Sequence, residues 1–168
     1  PRPGTVGFGP TLIGILATAP PAAQAFVTLS GIIGSGSLTD IEQQIVLLTV
    51  SREHGRQYCL AAHTAGATMA KMPAEVLAAL KAGQPLPDAK LDARHDLTRA
   101  MVVERGRPDS DTIRSFLAAG YTERQLLEVI VGIALKTISN YTNHVADTPL
   151  DAPLEPFAWA PVKPAGIG

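Results

Sequence analysis

Cysteine, aromatic rings and charge are all scarce in this 168-residue chain, and each scarcity excludes something. A single cysteine, Cys59, rules out an intrachain disulfide and any zinc site built from several thiolates. It also leads us to expect an intracellular, cytoplasmic protein rather than a disulfide-stapled secreted one. Charged residues make up 17% of the chain, against about 25% in an average soluble domain. With 14 Lys and Arg against 15 Asp and Glu the net charge is −1, so there is no basic footprint for nucleic acid or anionic lipid. So few charges cover a monomer poorly, and part of the apolar surface is expected to lie against another subunit. The longest apolar stretch, from Val129 to Leu135, falls well short of the ~20 residues that cross a bilayer.

What the chain does have is glycine, proline and a helical rhythm. Thr39-Asp40-Ile41-Glu42 reads as a capping box, and Ile41, Ile45, Leu48 and Arg52 follow at spacings of three and four until Gly55 stops the helix. A second helix begins just after Gly55 and runs through Tyr58, Cys59, Ala62 and Ala65-Gly66, small residues that suit a close helix–helix approach. Pro73 opens a short helix that Gly83 closes, and further helices are expected from Ala89 to Arg105 and from Asp109 or Ser110 to Ala119. Thr122 with Gln125 forms another capping box, and the apolar series from Leu126 to Ile138 carries a long helix to about His144, expected to be the central buried one.

The two ends read differently. Pro10, Gly14, Pro20 and Pro21 predict a turn-rich arm; the rival reading takes the apolar stretch from Thr11 to Thr18 and Ala23-Gln24-Ala25 as a leader with its cleavage site. Prolines 149, 153, 156, 161 and 164 predict an extended tail over 147–168, anchored by Phe157 and Trp159 and either packed on its own subunit or reaching a partner. No strand pattern competes, so the fold class is all-α: one domain over 1–168, with its multi-helix core at about 20–146.

Cys59 and His63 stand four apart near the start of one helix, which puts thiol and imidazole on the same face. The helix N-terminus favours a thiolate there, so the pair reads as nucleophile and base; it reads equally as a buried cysteine beside a backbone-bonded histidine. Glu53 either enters the site or is a solvated carboxylate beside Arg52, and His54 suits the end of a helix. A metal site of His54, Cys59 and His63 lacks a clear carboxylate, so no metal is expected. His95, between Arg94 and Asp96, reads as a surface residue. Asn140, Tyr141, Asn143 and His144 read as caps of the long helix, or with Asn140 or Tyr141 lining the Cys59 pocket.

The run Arg56-Gln57-Tyr58-Cys59-Leu60-Ala61-Ala62-His63-Thr64 resembles the active-site helix of the alkylhydroperoxidase D-like proteins in the carboxymuconolactone decarboxylase superfamily. Leu38 to Glu42, Ala118 to Thr122 and Asn140 to His144 resemble the same group, so the likeness covers roughly 38–150. The redox pattern of that family is a Glu, eleven residues, Cys, two residues, Cys, three residues and His, the second Cys attacking a hydroperoxide and the first resolving it. Here the attacking cysteine falls on Cys59 and the histidine on His63, but Arg56 stands at the resolving cysteine and Gln44 at the glutamate.

The resemblance therefore implies a cofactor-free, thiol-dependent hydroperoxide reductase with one peroxidatic cysteine, resolved by an external thiol. Arg56 would stabilise the thiolate or bind a carboxylate, with Gln44, Tyr58, Glu53 and Tyr141 as supporting residues. The alternatives are a decarboxylase or isomerase of a small carboxylated substrate, using Arg56 and His63, and a redox-inactive ligand-binding member. The resemblance also implies a homo-oligomer, a trimer or hexamer.

Overall fold

The computed structural model describes residues 10–160 and is built of α-helices, with no strand among the described residues. In chain order they are α1 (Pro10–Ala17), α2 (Pro20–Gly34), α3 (Asp40–Glu53), α4 (Gln57–Met69), α5 (Ala74–Ala82), α6 (Ala89–Val103), α7 (Ser110–Ala118) and α8 (Glu123–Val145), followed by a 3-10 helix at Ala152–Phe157. Both capping boxes form. Thr39 Oγ1 accepts the Glu42 N–H while Glu42 Oε2 accepts the Thr39 N–H, and Thr122 and Gln125 repeat the exchange at the head of α8.

The expected turn-rich arm is instead the helix pair α1–α2. Pro20 and Pro21 occupy the first positions of α2, where a missing N–H breaks no helical bond. Gly14 sits in α1 with open space around it, so it neither needs nor breaks a special conformation. Burial of Leu12, Leu16 and Phe26 against Leu47, Tyr58, Cys59 and Leu135 outweighs the weak local propensity.

The central helix is α3, not α8. It packs against α4, α5, α6 and α8, and 11 of its 14 residues are buried. Two glycines permit this crowding: a Cβ on Gly132 of α8 would stand 2.7 Å from Val46 Cγ1, and one on Gly66 of α4 would stand 2.9 Å from Gln44 Nε2. By contrast α8 keeps one side exposed, with Leu127, Ile130, Tyr141 and Val145 facing outward.

A helix buried all round must bury its polar residues in pairs. Glu42 uses one carboxylate oxygen for the cap and the other, at 3.5 Å, for the guanidinium of Arg94 on α6, which is fully buried and lies 4.0 Å over the Tyr121 ring. Glu53 is buried as well, between Arg52 at 3.5 Å and Arg99 at 3.4 Å, and is not a solvated helix-end carboxylate. His95 is likewise not a surface residue. The polar run around it hides that α6 turns Arg94, His95, Leu97 and Thr98 toward the interior.

The tail is not extended where it is described. Residues 148–160 fold back on α4 through the 3-10 turn, in which Leu154 N–H reaches Asp151 O and Ala158 N–H reaches Glu155 O; Pro153 and Pro156 are tolerated because so short a turn asks for few N–H donors. Trp159 is buried among Leu60, Ala67 and Leu80, its indole N–H donating to Thr64 Oγ1 at 2.7 Å, so this part packs on its own chain. Pro161 and Pro164 lie outside the described residues.

His95 generates a test. The Thr49 hydroxyl spends its proton on the Ile45 carbonyl, so it accepts Nδ1–H from His95 at 2.8 Å, and the ring is held neutral. Burial first, with help from Arg52 and Arg99 and against Asp92, lowers its pKa from 6.5 to about 4. The unfolded chain thus takes up the proton first as pH falls. Stability contributed at this position is complete above pH 6.5, is lost on acidification toward 4, and the full loss is on the order of 3 kcal/mol. Denaturant unfolding at pH 7, 6 and 5 should show that decline, and His95→Gln should make it shallower, the remainder coming from the other depressed histidines; identical slopes in both proteins would remove His95 as a cause.

Candidate active site

Cys59 is the third residue of α4, within the first turn, whose N–H groups have no partner inside the helix. Arg56, the N-cap residue, supplies no side-chain cap, so that end of the helix presents its positive dipole to the thiol. The sulfur is buried, and Asn143 Nδ2 of α8 donates a hydrogen bond to it at 3.2 Å.

One turn further along α4, His63 meets two partners. Lys136 of α8 places Nζ 2.9 Å from Nε2, and Gln44 of α3 places Oε1 3.1 Å from Nδ1. An ammonium only donates, so Nε2 is the acceptor and Nδ1 carries the proton that Gln44 accepts. Burial, and then the Lys136 charge, hold the His63 pKa well below its ordinary value, which keeps the ring neutral. Lys136 also interacts with the Cys59 thiol. Burial lowers the pKa of this lysine, and the attraction to Cys59 opposes that shift. The result is a chain of contacts from Cys59 through Lys136 and His63 to Gln44, with lysine standing where direct thiol–imidazole contact was expected.

These groups line one small cavity, with about 20 Å³ open to the centre of a water molecule, enough for about one water. Its roof comes from α1 and α2 through Leu12, Phe26 and Ile33, and Leu47 and Leu135 complete the apolar wall. The roof is tied down by Asp151. That carboxylate accepts hydrogen bonds from the Thr11 hydroxyl and, at 2.6 Å, from the Tyr58 phenol, which itself accepts the Leu12 N–H. Burial and the Asp151 carboxylate raise the Tyr58 pKa, so the phenol stays protonated as a donor. Tyr58 therefore serves as a latch between α4, α1 and the tail.

Other expected site residues stand elsewhere. Arg56 turns its guanidinium to the Thr148 carbonyl at 2.6 Å and to Asp147 at 3.9 Å, fastening the tail, and it does not line the Cys59 cavity. Glu53 belongs to its arginine pair. His54 accepts from Asn140 Nδ2 at 2.9 Å and lies 5.3 Å from the Tyr141 ring; both line a separate open groove of about 310 Å³ together with Met101, Arg105 and Ile130. Burial, then His144 and Lys136, lower the His54 pKa to about 4. Because His54 and His63 open into different cavities, the imagined trio with Cys59 does not assemble, and among the described residues no group of three or more His, Cys, Asp or Glu is placed to hold a metal.

Sequence reasoning missed Lys136 and assigned Asn143 only to capping. The signal was in α8: Val129, Gly132, Lys136, Ser139, Asn140 and Asn143 recur at helical spacing and are all buried, so a lysine sat on the inward stripe of an apolar helix. An amine there is costly unless something needs it.

No curated protein matches the sequence. Two solved structures share the fold at a TM-score of 0.78 and 18% identity, each match covering 91% of this chain and 83% of the other: the debrominase Bmp8 in its apo form, and a cysteine-to-alanine variant of it in complex with 2,3,4-tribromopyrrole. Residues 20–86 match the carboxymuconolactone decarboxylase family. That stretch runs from α2 past α5 and carries Gln44, Cys59 and His63, so the part of the chain similar to that family includes three of the residues around the cavity.

Proposed function

We propose that the protein is a thiol-dependent hydroperoxide reductase in which Cys59 is the attacking nucleophile. The observation that carries this reading is the enclosed cavity itself: it brings Cys59, Lys136, His63 and Gln44 together in a space of about 20 Å³, the scale of a peroxide group. The Asn143 N–H, the head of α4 and the Lys136 ammonium all favour negative charge at Sγ.

In the reaction the Cys59 thiolate attacks the terminal oxygen of the hydroperoxide and the O–O bond breaks. Sulfur gains an OH group, and the leaving alkoxide takes a proton from Lys136 Nζ, leaving an alcohol and a neutral amine. In this step His63 stays neutral and holds Nζ in place through Nε2. An external thiol then returns Cys59 to its reduced state.

The carboxylate-directed alternative loses its anchor, because Arg56 is engaged by Thr148 and Asp147 away from the cavity. Debromination is the activity named for Bmp8, which shares the fold at 18% identity, and nothing in the cavity of this chain points to it over a hydroperoxide.

Two substitutions test the assignment. Cys59→Ser should abolish consumption of an organic hydroperoxide in the presence of dithiothreitol while leaving the far-UV spectrum unchanged; residual turnover near that of wild type would refute a thiol mechanism. Gly66→Ala should place a Cβ 2.9 Å from the Gln44 amide, the far end of a flexible side chain, which can swing away from His63 without disrupting the fold. We expect turnover to drop roughly tenfold with little change in unfolding midpoint, since the cost falls on alignment of the relay; a rate equal to wild type would show that Gln44 is not needed.

A further inference from the structure

A hydroperoxidase of this kind needs something to resolve its oxidised cysteine, and Cys59 is the only thiol in the chain. The cavity around it has about 20 Å³ open to the centre of a water molecule, so hydroperoxide, thiol reductant and dimedone alike enter only as the α1–α2 roof opens, whereas a resolving group inside the cavity needs no such opening. The group already inside is an amine. Lys136 lines the same cavity, interacts with the Cys59 sulfur, and points Nζ at the lone pair of a neutral imidazole 2.9 Å away.

We propose that Lys136 takes the place of the missing resolving cysteine, its Nζ condensing with the sulfenic acid of Cys59 to close a sulfenamide link between α4 and α8. The inference rests on Cys59 being the peroxidatic residue, as argued above, and it adds a second catalytic residue to that site. The balance is complete without a further oxidant. Peroxide attack leaves Cys–S–OH and, because the ammonium has given its proton to the alkoxide, a free Lys–NH₂. The Nζ lone pair forms the N–S bond, the S–O bond breaks, and hydroxide leaves as water with a proton taken from the attacking nitrogen. His63 Nε2, hydrogen-bonded to that nitrogen, is the group placed to carry the proton across. Sulfur keeps its two-electron oxidation through the step. One external thiol then opens the S–N bond to a mixed disulfide, returning the amine, and a second releases Cys59 as thiol.

Burial supports this role, since it moves Lys136 toward its free amine. The arrangement also explains a lysine paired with histidine rather than with a carboxylate. A carboxylate beside Nζ would pin the ammonium, whereas a neutral Nε2 acceptor orients the nitrogen and leaves it able to shed its proton.

The test is mass spectrometry of the full-length protein after one equivalent of tert-butyl hydroperoxide, with and without dimedone. Wild type should lose two hydrogens, about 2 Da, resist dimedone, and yield a crosslinked peptide pair joining Cys59 and Lys136 that dithiothreitol separates. Lys136→Met, which keeps the side-chain volume but has no amine, should oxidise more slowly for want of its proton donor, and on prolonged exposure give a dimedone adduct on Cys59 and go on to sulfinic acid with excess peroxide. Wild type that accumulates dimedone-reactive Cys59 without a crosslink would overturn the proposal while sustaining the hydroperoxidase reading. So would a link mapped to the backbone nitrogen of Leu60. A Cys59 that resists peroxide in wild type would overturn both.

Discussion

An amine buried among helices must be solvated by the protein, and much of this site follows from how that is done for Lys136. Nζ is buried, so its hydrogen bond to His63 Nε2 and its interaction with the Cys59 sulfur take over much of that role. Accepting from Nζ fixes the histidine tautomer, and the remaining Nδ1–H then needs an acceptor. Gln44 provides it from α3. For the Gln44 amide to stand there α4 must be smooth at its crossing, hence glycine at position 66. One buried charge thus sets requirements on three helices, and one of the residues that answer them, Gly66, does not line the cavity at all.

The second constraint is closure. The segments that seal the cavity come from opposite ends of the chain: α1 and α2 form the roof, and the tail supplies Asp151, which accepts from Thr11 on α1 and Tyr58 on α4. Its pKa is lowered because those two hydrogen bonds outweigh the effect of burial, so the latch is anionic and accepts both protons at neutral pH. Trp159 and Arg56 fix the same tail to α4, by packing and the Thr64 hydrogen bond in one case and by the Thr148 carbonyl in the other. Any motion that admits a substrate larger than a peroxide group must therefore break contacts of the tail, and the helix that carries the thiol also carries the latch.

How much of this was legible follows from where each signal resides. Capping boxes, stop glycines and a 3.6-residue rhythm are local, so α3 to α8 could be read directly, and so could the shared face of Cys59 and His63 on α4, though not the lysine that replaces direct contact between them. The primacy of α3 could not. Its buried face is the whole helix, and Glu42, Gln43, Gln44, Ser51 and Glu53 make it look like a surface helix until their partners on other elements are seen. His95 and Arg94 were hidden in the same way. Arg56 drew attention because it occupies a cysteine's place in the family pattern, yet the cation that reaches the sulfur comes from a residue 77 positions after Cys59, a distance no motif spans. Proline misled at both ends, because its local prohibition on helices lapses at a helix's first turn and in a 3-10 turn.

The departures at Gln44 and Arg56 are better understood as one change in charge than as two losses. With a glutamate at position 44, the relay would contain a carboxylate, and its charge would attract the lysine proton through the imidazole. Gln44 is neutral, and His63 is held neutral, so neither residue of the relay offers Lys136 a negative charge, and its other partner in the cavity is the Cys59 sulfur. In the proposed mechanism the attacking thiolate and the ammonium form a pair whose balance is upset as soon as sulfur is oxidised: a sulfenic acid carries no charge to offset an ammonium in an apolar pocket. Loss of the lysine proton to the leaving alkoxide restores neutrality in the same step. In the proposed cycle, oxidation of Cys59 and formation of a nucleophilic amine beside it are therefore coupled by electrostatics, and a neutral glutamine at the far end of the relay favours that coupling where a glutamate would oppose it.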